Sequence, residues 1–246
     1  MARGFNGTTQ YLSYDPLYAG TNPFSMACWF YPQNNSGIQV LMSTADSGVS
    51  SWHYHFLSIR GDLAGDPIAA GSNASGTAYE AQSSSGITTN TWHHACGVWA
   101  TNSNRVVYLD GGNKGTETTN VNTFDGLEQF ALGVLWRTQS PNLAAYYEGY
   151  IAEAAVWDVA LTDAEAAILA AGYSPLFVRP QSIRAYWPLI RGSADRVGGF
   201  ALTEHNAPTV EDQSPVIYPY GYSMPGVVSA APVATLRTLA TLGAGR

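Results

Sequence analysis

The stretch Trp92-His-His-Ala-Cys-Gly-Val-Trp99, followed after a short polar interval by Arg105-Val-Val-Tyr-Leu-Asp-Gly111, decides the fold class. Aromatic and β-branched side chains dominate both runs, and such side chains fit the pleated, half-buried surface of a sheet. Asp110 and Gly111 close the second run, and both residue types tolerate the positive φ of a tight hairpin turn. Working outward, the same signature recurs at Gln10 to Tyr14, Phe24 to Tyr31, Gln39 to Ser43, His53 to Ile59, Phe130 to Leu135 and Tyr147 to Trp157. Clusters of Gly, Asn, Ser and Thr separate these runs, so the pattern is all-β.

One segment breaks it: Leu161-Thr-Asp-Ala-Glu-Ala-Ala-Ile-Leu-Ala-Ala-Gly172. Thr162 with Glu165 three residues on makes a capping box, Ala and Leu favour helix, and Gly172 stops it. A short helix is predicted, packing Ile168 and Leu169 against the strands. Beyond Gly172 lie 8 of the 13 prolines, and from Gln213 onward there is no acidic residue and only Arg237 and Arg246 as cations. Such a segment cannot easily build its own core. The chain therefore divides into a sandwich over 1–172, closing strands packed on or beside it over 173–212, with Ala185 to Leu189 and Phe200 to Thr203 as edge candidates, and an extended arm over 213–246. The arm's apolar residues Val216, Ile217, Tyr218, Tyr220, Tyr222, Met224, Val227, Leu236 and Leu239 are its candidate contacts with the molecule on which it docks.

Charged residues are 12% of the 246, against roughly 25% in an average soluble domain. The net charge is −7, with 11 Lys and Arg, so a phosphate backbone meets no general attraction and no nucleic-acid partner is expected. Cys28 and Cys96 sit in apolar strand-like segments and read as buried free thiols, with their single pairing kept open. The polar start after Met1 gives no secretion signal and no apolar stretch is long enough to span a bilayer, so synthesis in the cytoplasm and no membrane partner are expected.

Several segments, taken in order, carry a resemblance. Phe5-Asn-Gly-Thr-Thr-Gln-Tyr-Leu12 places Phe and Gly ahead of a hydrophobic pair, and Phe24-Ser-Met-Ala-Cys-Trp-Phe30 ends in an aromatic pair. Trp92-His-His-Ala95 precedes the Tyr-Leu-Asp-Gly hairpin, and Gly149-Tyr-Ile-Ala-Glu-Ala-Ala-Val-Trp157 leads into the helix. Over roughly residues 1 to 172 these resemble the concanavalin A-like, laminin G-like jelly-roll family. The resemblance implies an antiparallel jelly-roll β-sandwich. Ala152 departs from the family pattern, which carries an acidic residue there, so no calcium role is carried over to it. The closing segments Tyr186-Trp-Pro-Leu189, Gly198-Gly-Phe-Ala-Leu-Thr203, Ala207-Pro-Thr209 and Pro215-Val-Ile-Tyr-Pro219 resemble laminin G-like proteins encoded among bacteriophage structural genes. That second resemblance implies a capsid decoration (cement) protein of a tailed-phage virion, binding the major capsid protein on the capsid surface as a homo-oligomer, a trimer being one arrangement.

Glycoside hydrolysis needs two carboxylates about 5 to 10 Å apart, and no Glu-x-Asp-x-Glu run places a set on one strand face. Glu148 and Glu153 are separated by an odd step, which on a regular strand puts them on opposite faces. His53 and His55 share a face at a spacing open to metal binding. The plainer reading makes them polar positions on a half-exposed strand, with one of His93 and His94 a satisfied core histidine. No Gly-x-Ser-x-Gly elbow occurs, and neither Gly111-Gly112 nor Gly198-Gly199 opens a helix as a phosphate loop does. Accordingly no catalytic residue, metal or cofactor is named, and the chain reads as a binding protein. Trp52, Tyr54, Trp136 and Tyr146, near predicted loop ends, are the candidates for stacking on sugar rings. The alternative to the capsid reading is therefore a lectin-like module with a glycan partner, and an enzyme acting on polysaccharide is the third.

Overall fold

The computed structural model describes residues 1–16, 22–46, 52–74, 76–121, 127–137, 143–190 and 192–211. In chain order the strands are β1 (Ala2–Asn6), β2 (Tyr11–Tyr14), β3 (Phe24–Pro32), β4 (Gly37–Asp46), β5 (Tyr54–Gly61), β6 (Pro67–Ala74), β7 (Thr77–Gly86), β8 (His93–Thr101) and β9 (Asn104–Leu109). Then follow β10 (Gly112–Glu117), β11 (Leu127–Leu132), β12 (Leu135–Trp136), β13 (Leu143–Ala144), β14 (Glu148–Trp157), the helix α1 (Asp163–Ala170), β15 (Ile183–Trp187), β16 (Thr203–His205) and β17 (Thr209–Glu211). They form two antiparallel sheets packed face to face. The eight-stranded sheet runs β10-β9-β8-β3-β14-β1-β17 with β15 also on β14, and the seven-stranded sheet runs β16-β2-β11-β4-β5-β6-β7. The predicted all-β sandwich is the observed fold.

Period-two alternation builds the core. On β3, Phe24, Met26, Cys28 and Phe30 point between the sheets, where Phe24 stacks on Trp99 at 4.7 Å. Phe130 stacks on Trp187 at 4.8 Å nearby. A second cluster lies outside the eight-stranded sheet, where Ala27, Cys96, Val98, Tyr108 and Trp157 are covered by Ala166 and Leu169 of α1. Cys28 and Cys96 therefore face opposite sides of one sheet and stay unbridged. Burial pushes the Cys96 thiol up to about 12, which makes it inert at neutral pH.

The helix forms with its capping box in place, Glu165 N–H reaching Thr162 Oγ1 and Thr162 N–H reaching Glu165 Oε2. Only half of its predicted contact is made: Leu169 is buried, whereas Ile168 is 42% exposed. Ala166 and Leu169 are three apart and share a face, while Ile168 is turned about 100° from Leu169. The expected strand Phe130 to Leu135 is broken at Gly133, which takes φ +80° with the Phe5 ring 2.7 Å from where a side chain would start. Phe200 lies before the edge strand rather than in it, and its carbonyl accepts the Trp187 indole N–H at 2.6 Å.

Segment 203–211 bridges the two sheets, because β16 pairs with β2 in one and β17 with β1 in the other. Arg3 of β1 clasps it, forming an ion pair with Glu204 and donating to the Pro208 carbonyl at 2.9 Å. Gln10 Nε2 donates to the Ala207 carbonyl at 2.9 Å. The arm and its candidate contacts from Val216 to Leu239 lie outside the described residues.

Candidate functional site

The outer face of the seven-stranded sheet gathers the rings. Strand β2 turns Leu12 inward and Tyr11 and Ser13 outward. Tyr11 stands opposite His205 of β16, the rings stacking at 4.0 Å with 5° between planes, and His205 Nε2 pairs with Ser13 Oγ at 2.9 Å. After Gly133 the chain folds outward into the small β12–β13 hairpin. Ser43 anchors that hairpin by donating to the Val134 carbonyl at 2.9 Å and accepting the Trp136 N–H at 3.1 Å. The hairpin sets Trp136 and Tyr146 edge-on to Tyr11, each at 6.4 Å. Arg137 follows, its guanidinium 5.1 Å over the Trp52 ring, and Trp52 is 39% exposed. These contacts join His205, Tyr11, Tyr146 and Trp136 into one row, and Arg137, next in the chain after Trp136, carries it on to Trp52.

Of the four sequence candidates, the fold brings Trp136 and Tyr146 together and sets Trp52 at the row's end. Tyr54 differs. It points outward on β5, yet Phe56, Leu135 and Trp136 pack over it and leave it 6% exposed, so it supports the row from below. Tyr11, His205 and Arg137 escaped sequence reading, although Tyr11 is the outward position of an alternating Tyr-Leu-Ser-Tyr run. Burial raises the Tyr11 phenol, with a further push from Tyr146, raises the Tyr146 phenol, and lowers the His205 imidazole. At neutral pH the row thus offers aromatic faces and uncharged polar groups beside one guanidinium. That combination suits polyhydroxylated ligands with apolar faces.

Other constellations resolve differently. His55 is buried between the sheets, not half-exposed as expected, because Leu57 and Ile59 continue its inward face; Nδ1 pairs with Ser72 Oγ at 2.7 Å. His53 precedes β5, and both His93 and His94 are buried. Burial, then Arg105, pushes His55 down to about 3; burial pushes His94 down to about 4. Among the described residues no group of three or more His, Cys, Asp or Glu is placed to hold a metal. His93 lies 2.8 Å from Asp110 and 3.1 Å from Thr88 Oγ1, the spacing of a nucleophile-base-acid chain. The Thr88 backbone N–H also donates to that Nε2 at 3.1 Å, so the group clips the turn before β8. The odd-step argument for Glu148 and Glu153 fails locally. A bulge between Ala152 and Ala155, with Glu153 at φ 52°, inserts an extra residue and shifts the alternation. Glu153 is buried and accepts the Tyr186 O–H, while Glu148 accepts from Asn34 Nδ2 at 3.0 Å.

Residues 6–167 match the model of the concanavalin A-like lectin/glucanases superfamily. The chain belongs to this superfamily. Among solved structures, it is similar to a protein from Bacteroides ovatus described as carbohydrate-binding, with 19% identity, 88% of this chain and 61% of that one covered, and a TM-score of 0.61. Domain 4 of AbnA, a GH43 extracellular arabinanase from Geobacillus stearothermophilus in complex with arabinotriose, matches at 23% identity, 69% and 76% coverage and a TM-score of 0.55. The CBM40 of the Ruminococcus gnavus IT-sialidase, bound to α2,3-sialyllactose, matches at 12% identity, 69% and 98% coverage and a TM-score of 0.52. At these identities the likeness is one of fold. No curated protein matches the chain.

Proposed function

We propose that this chain is a carbohydrate-binding module that holds glycan along the outer face of its seven-stranded sheet. The observation that carries the reading is the row from His205 through Tyr11 and Trp136 to Trp52, whose outermost ring stands exposed beside Arg137. Structural neighbours whose names state carbohydrate binding support it. Binding is favoured over hydrolysis because Glu148 and Glu153 are separately engaged. A glycan array with the intact protein tests the reading: Trp52→Ala should weaken the best hit about tenfold, roughly 1.4 kcal/mol. An array with no hit, or hits indifferent to Trp52 and Trp136, refutes it.

The particle-attachment expectation keeps one observation of its own, the uncharged, proline-rich composition of 213–246. None of the matches quoted above is a virion protein, so the sugar-binding alternative takes precedence. If a variant lacking 213–246 occupies virions as fully as the intact chain, the attachment reading fails.

A further inference from the structure

On the opposite side of the molecule, the outer face of the eight-stranded sheet carries a groove of about 430 Å³ where β1, β14 and β17 run side by side. Its floor exists because residue 4 has no side chain: a methyl group there would overlap Thr209 Oγ1 and come within 3.3 Å of the Tyr150 ring. Tyr150 forms one wall. Its ring stacks on Tyr31 at 5.3 Å, and Tyr31 meets Trp92 edge-on at 5.6 Å, so the wall continues as an aromatic surface. Gln33 Nε2 donates to the Tyr150 hydroxyl at 3.0 Å and fixes its position.

Apart from Phe5, the remaining lining is polar, and its charges are of one sign. Asn34 Nδ2 orients the Glu148 carboxylate, and Thr209 Oγ1 donates to Glu211 at 2.9 Å. The Tyr150 phenol is raised by burial and then by Glu211, and Glu211 Oε1 and the Tyr150 ring both lie within 3.4 Å of the point where a side chain on residue 4 would start. Asn6, Gln10 and Gln33 supply amides, and among the described residues the lining holds no Lys or Arg. Two carboxylates accept hydrogen bonds strongly from neutral hydroxyl groups and repel another anion. A tyrosine face beside them takes the apolar C–H face of a pyranose or furanose ring.

We infer that the β1–β14–β17 groove is a second saccharide-binding site, selective for neutral sugar units and independent of the aromatic row on the other sheet. The two sites lie on opposite outer faces, so one chain could hold two glycan segments and gain retention by multivalency.

The test uses the full-length protein labelled for amide NMR, titrated with arabinotriose and maltotriose as neutral probes and with α2,3-sialyllactose as the acidic one. Expected are shifts in residues 148–150 and 209–211 with a neutral probe, persisting in Trp52→Ala, and weakened about tenfold or more by Glu211→Gln or Tyr150→Ala at unchanged thermal stability. Sialyllactose should leave those residues unshifted. Glu211→Gln is nearly isosteric and lies on an edge strand, so a folded variant with undiminished groove binding overturns the inference. So do neutral probes that shift only the aromatic row, sialyllactose that shifts the groove equally, and binding that vanishes when divalent cations are chelated. Groove binding without any shift in the row would refute the preceding section and leave this site standing.

Discussion

Trp157 and Trp136 both sit on the outer side of a sheet, yet the fold uses them in opposite ways. Trp157 is fully buried beneath the segment that carries α1, and its indole N–H donates to the Val178 carbonyl at 2.8 Å. Trp136 belongs to the small β12–β13 hairpin and is half-buried, as is Tyr146 beside it, while Trp52 is exposed. The residue type is the same, so what is packed on top decides whether a ring works as core or as contact surface. Under the helix an outward-facing aromatic is core; beside the hairpin it keeps part of its surface in solvent.

The contrast is broken most forcefully from the covered side. Trp157→Ala should cost about 3 to 5 kcal/mol in denaturant unfolding, while the fraction that remains folded binds glycan as before. Acid comes next. His55 and His94 are held neutral in the fold, near 3 and 4 against an ordinary 6.5. Because the folded values are depressed, their contribution is complete above pH 6.5 and falls away as pH drops toward them, by up to about 2 kcal/mol each at pH 5. Unfolding curves at pH 7 and pH 5 measure this, and His94→Gln should flatten the acid limb. On the open side, Trp52→Ala should shift stability by less than about 0.5 kcal/mol while weakening glycan binding, a separation that sharpens the contrast. Ile168→Ala, on the exposed side of α1, should do least: within about 0.5 kcal/mol and no change in binding. A large loss there would mean the helix packs by a different face.

How much of this was legible depends on whether side-chain size carried the signal. Strand β3 announced itself because Phe24 and Met26 alternate with small Ser25 and Ala27 and lead into the aromatic run Trp29 to Tyr31. Strands β6, β7 and β10 did not, since Ala, Gly, Ser and Asn dominate them. There close packing selects small residues: a side chain on Gly115 of β10 would overlap the Gln82 carbonyl of β7, where the two sheets meet. In the candidate site, Trp136 and Tyr146 stand out in the sequence as aromatics near predicted loop ends. Their partners Tyr11 and His205 come from strands far apart in the chain, a juxtaposition that no local pattern encodes. The burial of Tyr54 is not legible in the sequence, because alternation predicts direction but not the lid above it. The bulge at Glu153 was invisible for a related reason, since glutamate gives no sign of a positive φ.

The placement of β1 sets a timetable for biosynthesis. Arg3 aligns with Ile151 on one flank and Val210 on the other, so β1 leaves the ribosome well before either neighbour exists. At about 5 to 20 residues per second, its edges stay unpaired for roughly 10 to 40 seconds. During that interval Ala2 to Asn6 is a segment for a chaperone to shield, and closure of the sandwich is a late event governed by contacts distant in sequence.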